Sequence, residues 1–444
     1  MRHTGDVGTT AGPDHRDELD DLDLLCDEAI AEPHAYLGRF RDRQPVVWSE
    51  RHRAWVVLGH PELDAAFRAP ELSTDRMGAF RSRLTGSRAE ALAKAVELLE
   101  GWMLFHDPPE HTRLRAPLAR QFTPKAVSAL EQEITAVCDE LIEAAAVRLE
   151  RGEVVDLVEA FSHPLPAAVI GRLFGVPDDL QDWLAAWSAR FGVVVFGATR
   201  RPDYEEMARA AGEDFHVHLG RLLAERRSDP RDDLVSLLAA NDDLDDTEVL
   251  GACSLLLFAG HDTTTSLLST AVLGLIAHPD QRDRLASLAT VGRDAEPATP
   301  SSPDRVEARD RAIEEFLRYD GAAKAMMRVV AEPLELGGCE LRPGDAVFLT
   351  ILAANRDPRV FEAPDELRLD RRPNPHLAFG HGVHFCLGAS LARLELRIAL
   401  PRLVARLPEL QVAGPVRWKP TISDRSAAEV PVRLARTGTP HPVG

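Results

Sequence analysis

Near its C-terminus the chain reads Phe379-Gly380-His381-Gly382-Val383-His384-Phe385-Cys386-Leu387-Gly388-Ala389 and then runs into a helix-forming stretch, Ser390 to Leu407. Glycine at 380 and 382 permits the positive φ values and close backbone approach of a tight bulge. The bulge presents one cysteine ahead of a helix whose first N–H groups, from Leu387 and Gly388 onward, lack intrahelical partners and can donate to the sulfur. Those donors and the positive helix end favour thiolate over thiol, while Phe379 and Phe385 can screen the sulfur from water. Such a loop suits a thiolate held against a metal. Two other readings are a structural cysteine beside a turn and a zinc site made by His381, His384 and Cys386. Structural zinc sites usually pair their ligands at a second location, and the sequence contains no Cys-x-x-Cys.

The second constraint is a helical pattern from about Asp245 to His278, stopped by Pro279. Asp245 and Glu248 have capping-box spacing, and at ~1.5 Å per residue the helix is on the order of 50 Å long, enough to cross the whole molecule. Its apolar runs are interrupted by Gly260-His-Asp-Thr-Thr-Thr265. An aspartate there is expensive in lipid, so a buried helix with a polar centre fits better than a membrane span. Ala259 and Gly260 remove side-chain bulk, and Thr263 can donate to the carbonyl of Ala259 and loosen the helix. The competing reading of Asp262 and Thr263 is an N-cap that splits the helix in two.

Elsewhere, Pro45 to Leu58 reads as a β-hairpin. A second β-rich region follows at Leu334 to Thr350, and nearly everything between them has helical periodicity, for example Val127 to Arg151, Pro166 to Phe174 and Met207 to Arg226. Residues 1–20 are expected to form a flexible tail, residues 21–444 a single catalytic domain, and residues 290–303 a mobile loop rich in Ala, Pro, Ser and Thr.

The pattern Phe379, Gly382, His384, Cys386, Gly388 resembles the haem-binding loop of the cytochrome P-450 superfamily. Ala259-Gly260-His261-Asp262-Thr263-Thr264 is similar to that family's oxygen-activating segment. Glu315-Phe-Leu-Arg318 matches its Glu-x-x-Arg motif, and Arg371 its third, arginine position. The resemblance runs from about Pro45 to Leu407. It departs at Ala322, where the family often has proline.

The resemblance implies a mainly α protein with small β-sheets, a helical bundle around the long central helix, with haem b between that helix and the cysteine loop. It implies Cys386 as the iron ligand, with Phe379, Gly380, Ala259 and Gly260 around the cofactor. Four residues resemble the partners of the haem propionates: His111, Arg115, Arg328 and His384. Burying two carboxylates requires charge-assisted hydrogen bonds of ~1.5–3 kcal/mol each. Asp262 and Thr263 are the implied catalytic pair, an acid that exchanges protons with solvent beside an alcohol that orients water. Glu315, Arg318 and Arg371 are expected to be structural, holding the cysteine loop.

The activity implied is that of a monooxygenase using dioxygen to hydroxylate or epoxidise a small apolar or amphipathic molecule in secondary metabolism or catabolism. A peroxide-driven haem oxidase and a non-catalytic haem-binding sensor are the alternatives. Met77 to Phe80, Phe191 to Phe196 and Ala322 to Met327 are candidate substrate-lining segments. Lys324 is either a contact for a substrate carboxylate or a solvated lysine. Met326 and Met327 are either pocket contacts or core.

No Gly-x-Gly-x-x-Gly fingerprint accompanies the haem motifs, so electrons are expected from a ferredoxin-like donor with its reductase. Arg393, Arg397, Arg402, Arg113 and Arg120 are either a basic docking patch for it or solvated helix faces.

Composition limits the partners. A formal charge of −19 disfavours nucleic acid and anionic membrane. The five cysteines are scattered and odd in number, as in a reducing compartment, and residues 1–20 carry no apolar signal segment. A cytoplasmic location is expected.

Overall fold

The computed structural model describes residues 21–82, 84–177, 180–196, 202–288 and 303–435. The tail expected at 1–20 and the loop expected at 290–303 lie outside them, apart from Pro303, which opens a helix.

The hairpin is present: β1 (Val46–Ser49) pairs antiparallel with β2 (Ala54–Val57), Val46 opposite Val57. After β3 (Leu72–Ser73) the chain is helical through α1 (Gly86–Glu100), α2 (Glu110–Ala119), α3 (Glu131–Glu150), α4 (Pro164–Leu173), α5 (Gln181–Phe196), α6 (Tyr204–Ser228), α7 (Asp246–Ala277) and α8 (Pro303–Tyr319). It then returns to the sheet as β4 (Ala325–Val330) and β5 (Ala346–Thr350), and ends its helical part with α9 (Ala389–Arg406). The five strands order as β1-β2-β5-β4-β3, with β2 and β5 parallel and the other pairs antiparallel. Chain ends distant in sequence thus share one sheet, which carries Arg328 on β4.

The 32-residue α7 is the axis of the bundle. Its start is fixed by a complete capping box: the Asp245 carboxylate accepts from the Glu248 N–H at 2.9 Å and the Glu248 carboxylate from the Asp245 N–H at 3.0 Å. Hydroxyls along it are satisfied by its own carbonyls. Thr265 donates to His261, Ser266 to Asp262 and Ser269 to Thr265, at 2.9–3.0 Å. These hydroxyls can therefore be buried without becoming orphaned donors. It runs unbroken through Asp262 and Thr263, which removes the split-helix reading. Close crossing needs Gly251, whose missing Cβ would stand 2.5 Å from the Gly101 Cα at the end of α1.

A buried charge cluster ties α8 to the segment that leads into the cysteine loop. Both Glu315 oxygens accept from Arg318 at 2.8 Å, and Arg371 Nε donates to the same carboxylate at 3.0–3.1 Å. Glu315 and Arg318 have no exposed surface. The remaining guanidinium N–H groups reach the carbonyls of Asn355, Pro364 and Glu366 from Arg318, and of Glu362, Ala363 and Glu366 from Arg371. Arg318 thereby holds the Asn355 backbone, and the Asn355 side chain accepts from the Leu377 N–H at 2.8 Å, two residues before Phe379.

A second buried acid, unforeseen from the sequence, lies on α9. Glu395 is fully buried, neither carboxylate oxygen has a hydrogen-bond partner among the described residues, and desolvation pushes its pKa up to about 8.

Two outcomes follow from these buried acids. Glu315→Ala leaves two guanidiniums buried without their anion, a loss of about 3–5 kcal/mol, and is expected to yield protein that fails to retain haem. Full haem content in that variant would contradict the structural role. For Glu395, the folded pKa of about 8 lies above the ordinary 4.5, so between those values the folded state keeps a proton that the unfolded chain has lost. Stability should therefore fall as pH rises through that window. Glu395→Gln is expected to flatten this part of the denaturation-midpoint profile, and an unchanged slope would refute the assignment.

Candidate functional site

The cysteine loop takes the expected shape. Gly380 and Gly382 adopt φ of 68° and 74°, and a Cβ on Gly382 would stand 2.9 Å from the Phe67 carbonyl oxygen, so side chains are excluded there on both grounds. The Cys386 N–H closes the loop onto the Phe379 carbonyl at 3.0 Å. The sulfur's environment is mixed: desolvation raises the thiol pKa, while the N–H groups of Gly388 and Ala389 and the charges of Arg115 and Arg393 lower it. The donors are thus Gly388 and Ala389 instead of Leu387, because α9 begins at Ala389. Phe379 packs under the loop beneath the Arg393 guanidinium, 4.5 Å from its ring centre. Phe385 is 41% exposed and shields less than expected.

On α7, Thr263 is the only exposed residue between Val249 and Ile276. An accessible side chain in the middle of a buried helix must face an interior opening, and Cys386 is likewise accessible while enclosed by protein. Thr263 Oγ1 donates to the Ala259 carbonyl at 2.6 Å, as the spacing suggested. Gly260 is small for a different reason than expected: its missing Cβ would stand 2.6 Å from Ile170 Cδ1, so α4 fills that side.

Asp262 is half-buried, and desolvation raises its pKa against the opposing charges of Lys419 and His163. His261, beside it with Nδ1 at 3.7 Å from Oδ1, is driven to a pKa of about 3 by desolvation and by His163, whose ring lies edge-on at 4.2 Å. The His261–Asp262 contact is therefore not an ion pair at neutral pH.

The four expected anion partners divide. His111 and His384 stack at 4.2 Å. His111 is 2% exposed with both ring nitrogens unpartnered among the described residues, and His384 meets only the Thr74 hydroxyl, at 3.4 Å. Arg328 is buried, donates to the Met327 carbonyl at 3.0 Å and forms no ion pair among the described residues; desolvation lowers its pKa to about 10. Arg115 instead spends one N–H on the Phe385 carbonyl at 2.7 Å, which supports the loop directly. Buried donors without acceptors are costly. The donor set, a sulfur with N–H support on one side and unpaired cations at an edge, fits a metal-centred ring bearing two carboxylates.

Several expectations need correction. Lys324 is 2% exposed, and its ammonium donates to the carbonyls of Leu24, Ala29 and Thr421 at 2.8–3.3 Å, so it ties the N-terminal segment to the C-terminal loop. It is neither a substrate contact nor solvated. Four of the five arginines proposed for a docking patch are neutralised within the chain: Arg393 by Glu314, Arg397 by Asp310, Arg402 by Asp139, and Arg113 by Glu110 and Glu248. Acids on α2, α3, α7 and α8 face those side chains, and only Arg120 remains exposed without an ion pair among the described residues. Among the described residues no three His, Cys, Asp or Glu gather as metal ligands, and His381 bonds Asp64 at 2.7 Å, so the zinc reading fails.

Of the substrate-lining candidates, Met77 and Phe191 are buried, Phe191 within an aromatic stack with Trp187 at 4.8 Å. Met326 and Met327 are half-buried on β4. Sequence reasoning missed Trp102, which stacks on Phe105 at 5.5 Å and on Phe258 of α7 at 5.7 Å. The signal was present, since Gly101-Trp-Met-Leu-Phe105 is an aromatic-rich break after a helix.

Among the described residues no helix is long and apolar enough to cross a membrane. The family profile for cytochrome P-450 matches residues 88–410. The chain is 34% identical to the cytochrome P-450 monooxygenase PikC of Streptomyces venezuelae, over 98% of each chain. It is 36% identical to the mycinamicin IV hydroxylase/epoxidase of Micromonospora griseorubida, over 90% of this chain and 99% of that one. The solved structure of CalO2 superposes with a TM-score of 0.82 at 28% identity, covering 95% of this chain and all of that one. The chain belongs to the cytochrome P-450 family, and it is a haem b-binding, oxygen-incorporating oxidoreductase.

Proposed function

We propose that this protein inserts one oxygen atom from dioxygen into a small apolar or amphipathic molecule of secondary metabolism, with electrons from a ferredoxin-like protein and its reductase, in the cytoplasm. The observation that carries the reading is the exposed Thr263 hydroxyl in the centre of a buried helix, with Asp262 beside it. Related chains are named for hydroxylation and epoxidation of mycinamicin IV and for N-oxygenation of nocardicin C, which supports a natural-product substrate.

Haem, when bound, would supply the redox chemistry. The chain's part is to hold and to protonate. Cys386 would be the iron ligand; desolvation raises its thiol pKa, and the Gly388 and Ala389 N–H groups with Arg115 and Arg393 oppose that and would support the metal-bound thiolate. His111, His384 and Arg328 would donate to the propionates, with Arg115 contributing from its remaining N–H groups. Phe379 and Gly380 would support the sulfur side of the cofactor and Ala259 would keep the opposite wall thin, while Gly260 makes room for Ile170 of α4.

Asp262 retains its proton to a higher pH than an ordinary carboxylate because it is desolvated. That shift suits it to hand protons on more readily than an exposed aspartate. Thr263, fixed by the Ala259 carbonyl, would orient the water that carries the proton inward. The hydrocarbon-rich surroundings of Trp102, Phe105 and Phe258 suit an apolar ligand.

Reconstitution with a ferredoxin, its reductase and NAD(P)H against a panel of macrolides and other apolar natural products tests the function. Oxygenated product dependent on reductant supports it. Turnover with peroxide alone, or ligand-shifted spectra without any product, would favour the peroxide-driven or sensor readings. Thr263→Ala is expected to keep haem and ligand binding yet slow product formation about a hundredfold, the low end for a positioned proton donor, with hydrogen peroxide accumulating. Unchanged coupling of reductant to product would count against the relay.

A further inference from the structure

Arg76 is a half-buried cation that none of the motifs explains. It stands just before the short helix Met77–Arg81, with its guanidinium 4.6 Å from the centre of the Phe105 ring. Burial lowers its pKa to about 10. Among the described residues it has no ion pair.

Its neighbourhood is the propionate edge of the cofactor site. Thr74, two residues earlier, meets His384 at 3.4 Å. Arg76 also repels Arg328, which likewise lacks an ion pair among the described residues. The acid that acts on Arg328 is Asp107, already committed to the hydroxyl of Ser73 and to the N–H and hydroxyl of Thr74. Two guanidiniums that repel each other in a desolvated place need an anion between them. A planar fork stacked on an aromatic ring is pre-organised to meet a carboxylate bidentately.

We propose that Arg76 is a further cationic partner of this site, gripping a carboxylate together with Arg328 while stacked on Phe105. The carboxylate is a haem propionate or the acid group of a bound substrate. The proposal rests on the reading that Arg328 faces the propionates.

The test uses purified holoprotein carrying Arg76→Gln, Arg76→Lys or Arg328→Gln. Haem transfer to excess apomyoglobin is expected to quicken by about tenfold in Arg76→Gln and less in Arg76→Lys, as loss of a charge-assisted hydrogen bond requires. The second arm is Soret titration with dodecanoic acid against dodecanol. A transfer rate like the parent's, together with a preference for acid over alcohol lost only in Arg76→Gln, assigns the carboxylate to the ligand instead.

Equal behaviour of Arg76→Gln and Arg76→Lys in both arms would overturn the proposal in favour of a packing role on Phe105. So would both readouts staying at parent values. If Arg328→Gln alone accelerates transfer, the propionate reading stands and only the role of Arg76 falls. If neither arginine matters in either arm, both fall.

Discussion

The Glu315 carboxylate, buried between two guanidiniums, is the contact on which the geometry of the cysteine loop depends. It orders Arg318, Arg318 holds the backbone of Asn355, and the Asn355 side chain receives the N–H of Leu377, where the loop begins. From there the Cys386 N–H folds back to Phe379. Buried ion pairs seldom stabilise in net terms, because desolvation offsets the attraction. This one is tolerable because the arginine N–H groups not used on Glu315 find backbone carbonyls of the meander. Its function is positional: it converts an irregular stretch with little regular structure into a fixed mount for a sulfur.

The opposite edge of the site is organised by imbalance. The chain carries 71 acids against 52 lysines and arginines, and surface arginines such as Arg397 and Arg406 find carboxylates. Acids are not scarce, yet Arg328, Arg76 and the His111–His384 pair are left without them. Cations left unpaired in an acidic protein constitute a demand for an exogenous anion, which the two propionates of haem b would meet. The same economy of charge corrects the expected docking patch, whose Arg393, Arg397 and Arg402 fasten α9 to α3 and α8.

What could be read from the sequence was local. The capping box, the hairpin, the glycine bulge and the Thr263-to-Ala259 bond are each set by residues within a few positions of one another, and each stands as expected. The Glu315 cluster was legible only through its family resemblance, since spacing alone fits a surface pair. The fates of Lys324 and Gly260 were not legible. One is decided by carbonyls near positions 24 and 421, the other by Ile170 on a different helix. Arg76, Glu395 and the Trp102 stack were missed for the same reason: desolvation and aromatic stacking are properties of the assembled core, and nothing adjacent in the chain announces them.

The central claim is that the sulfur of Cys386 ligates iron as a thiolate. Absorption spectroscopy of the dithionite-reduced, carbon monoxide-bound protein, beside a Cys386→Ser variant, measures this directly. The parent is expected to show the strongly red-displaced Soret band of a thiolate-ligated haem, and the variant to lack it. A parent spectrum without that band in haem-loaded protein, or a band that survives the substitution, would contradict it.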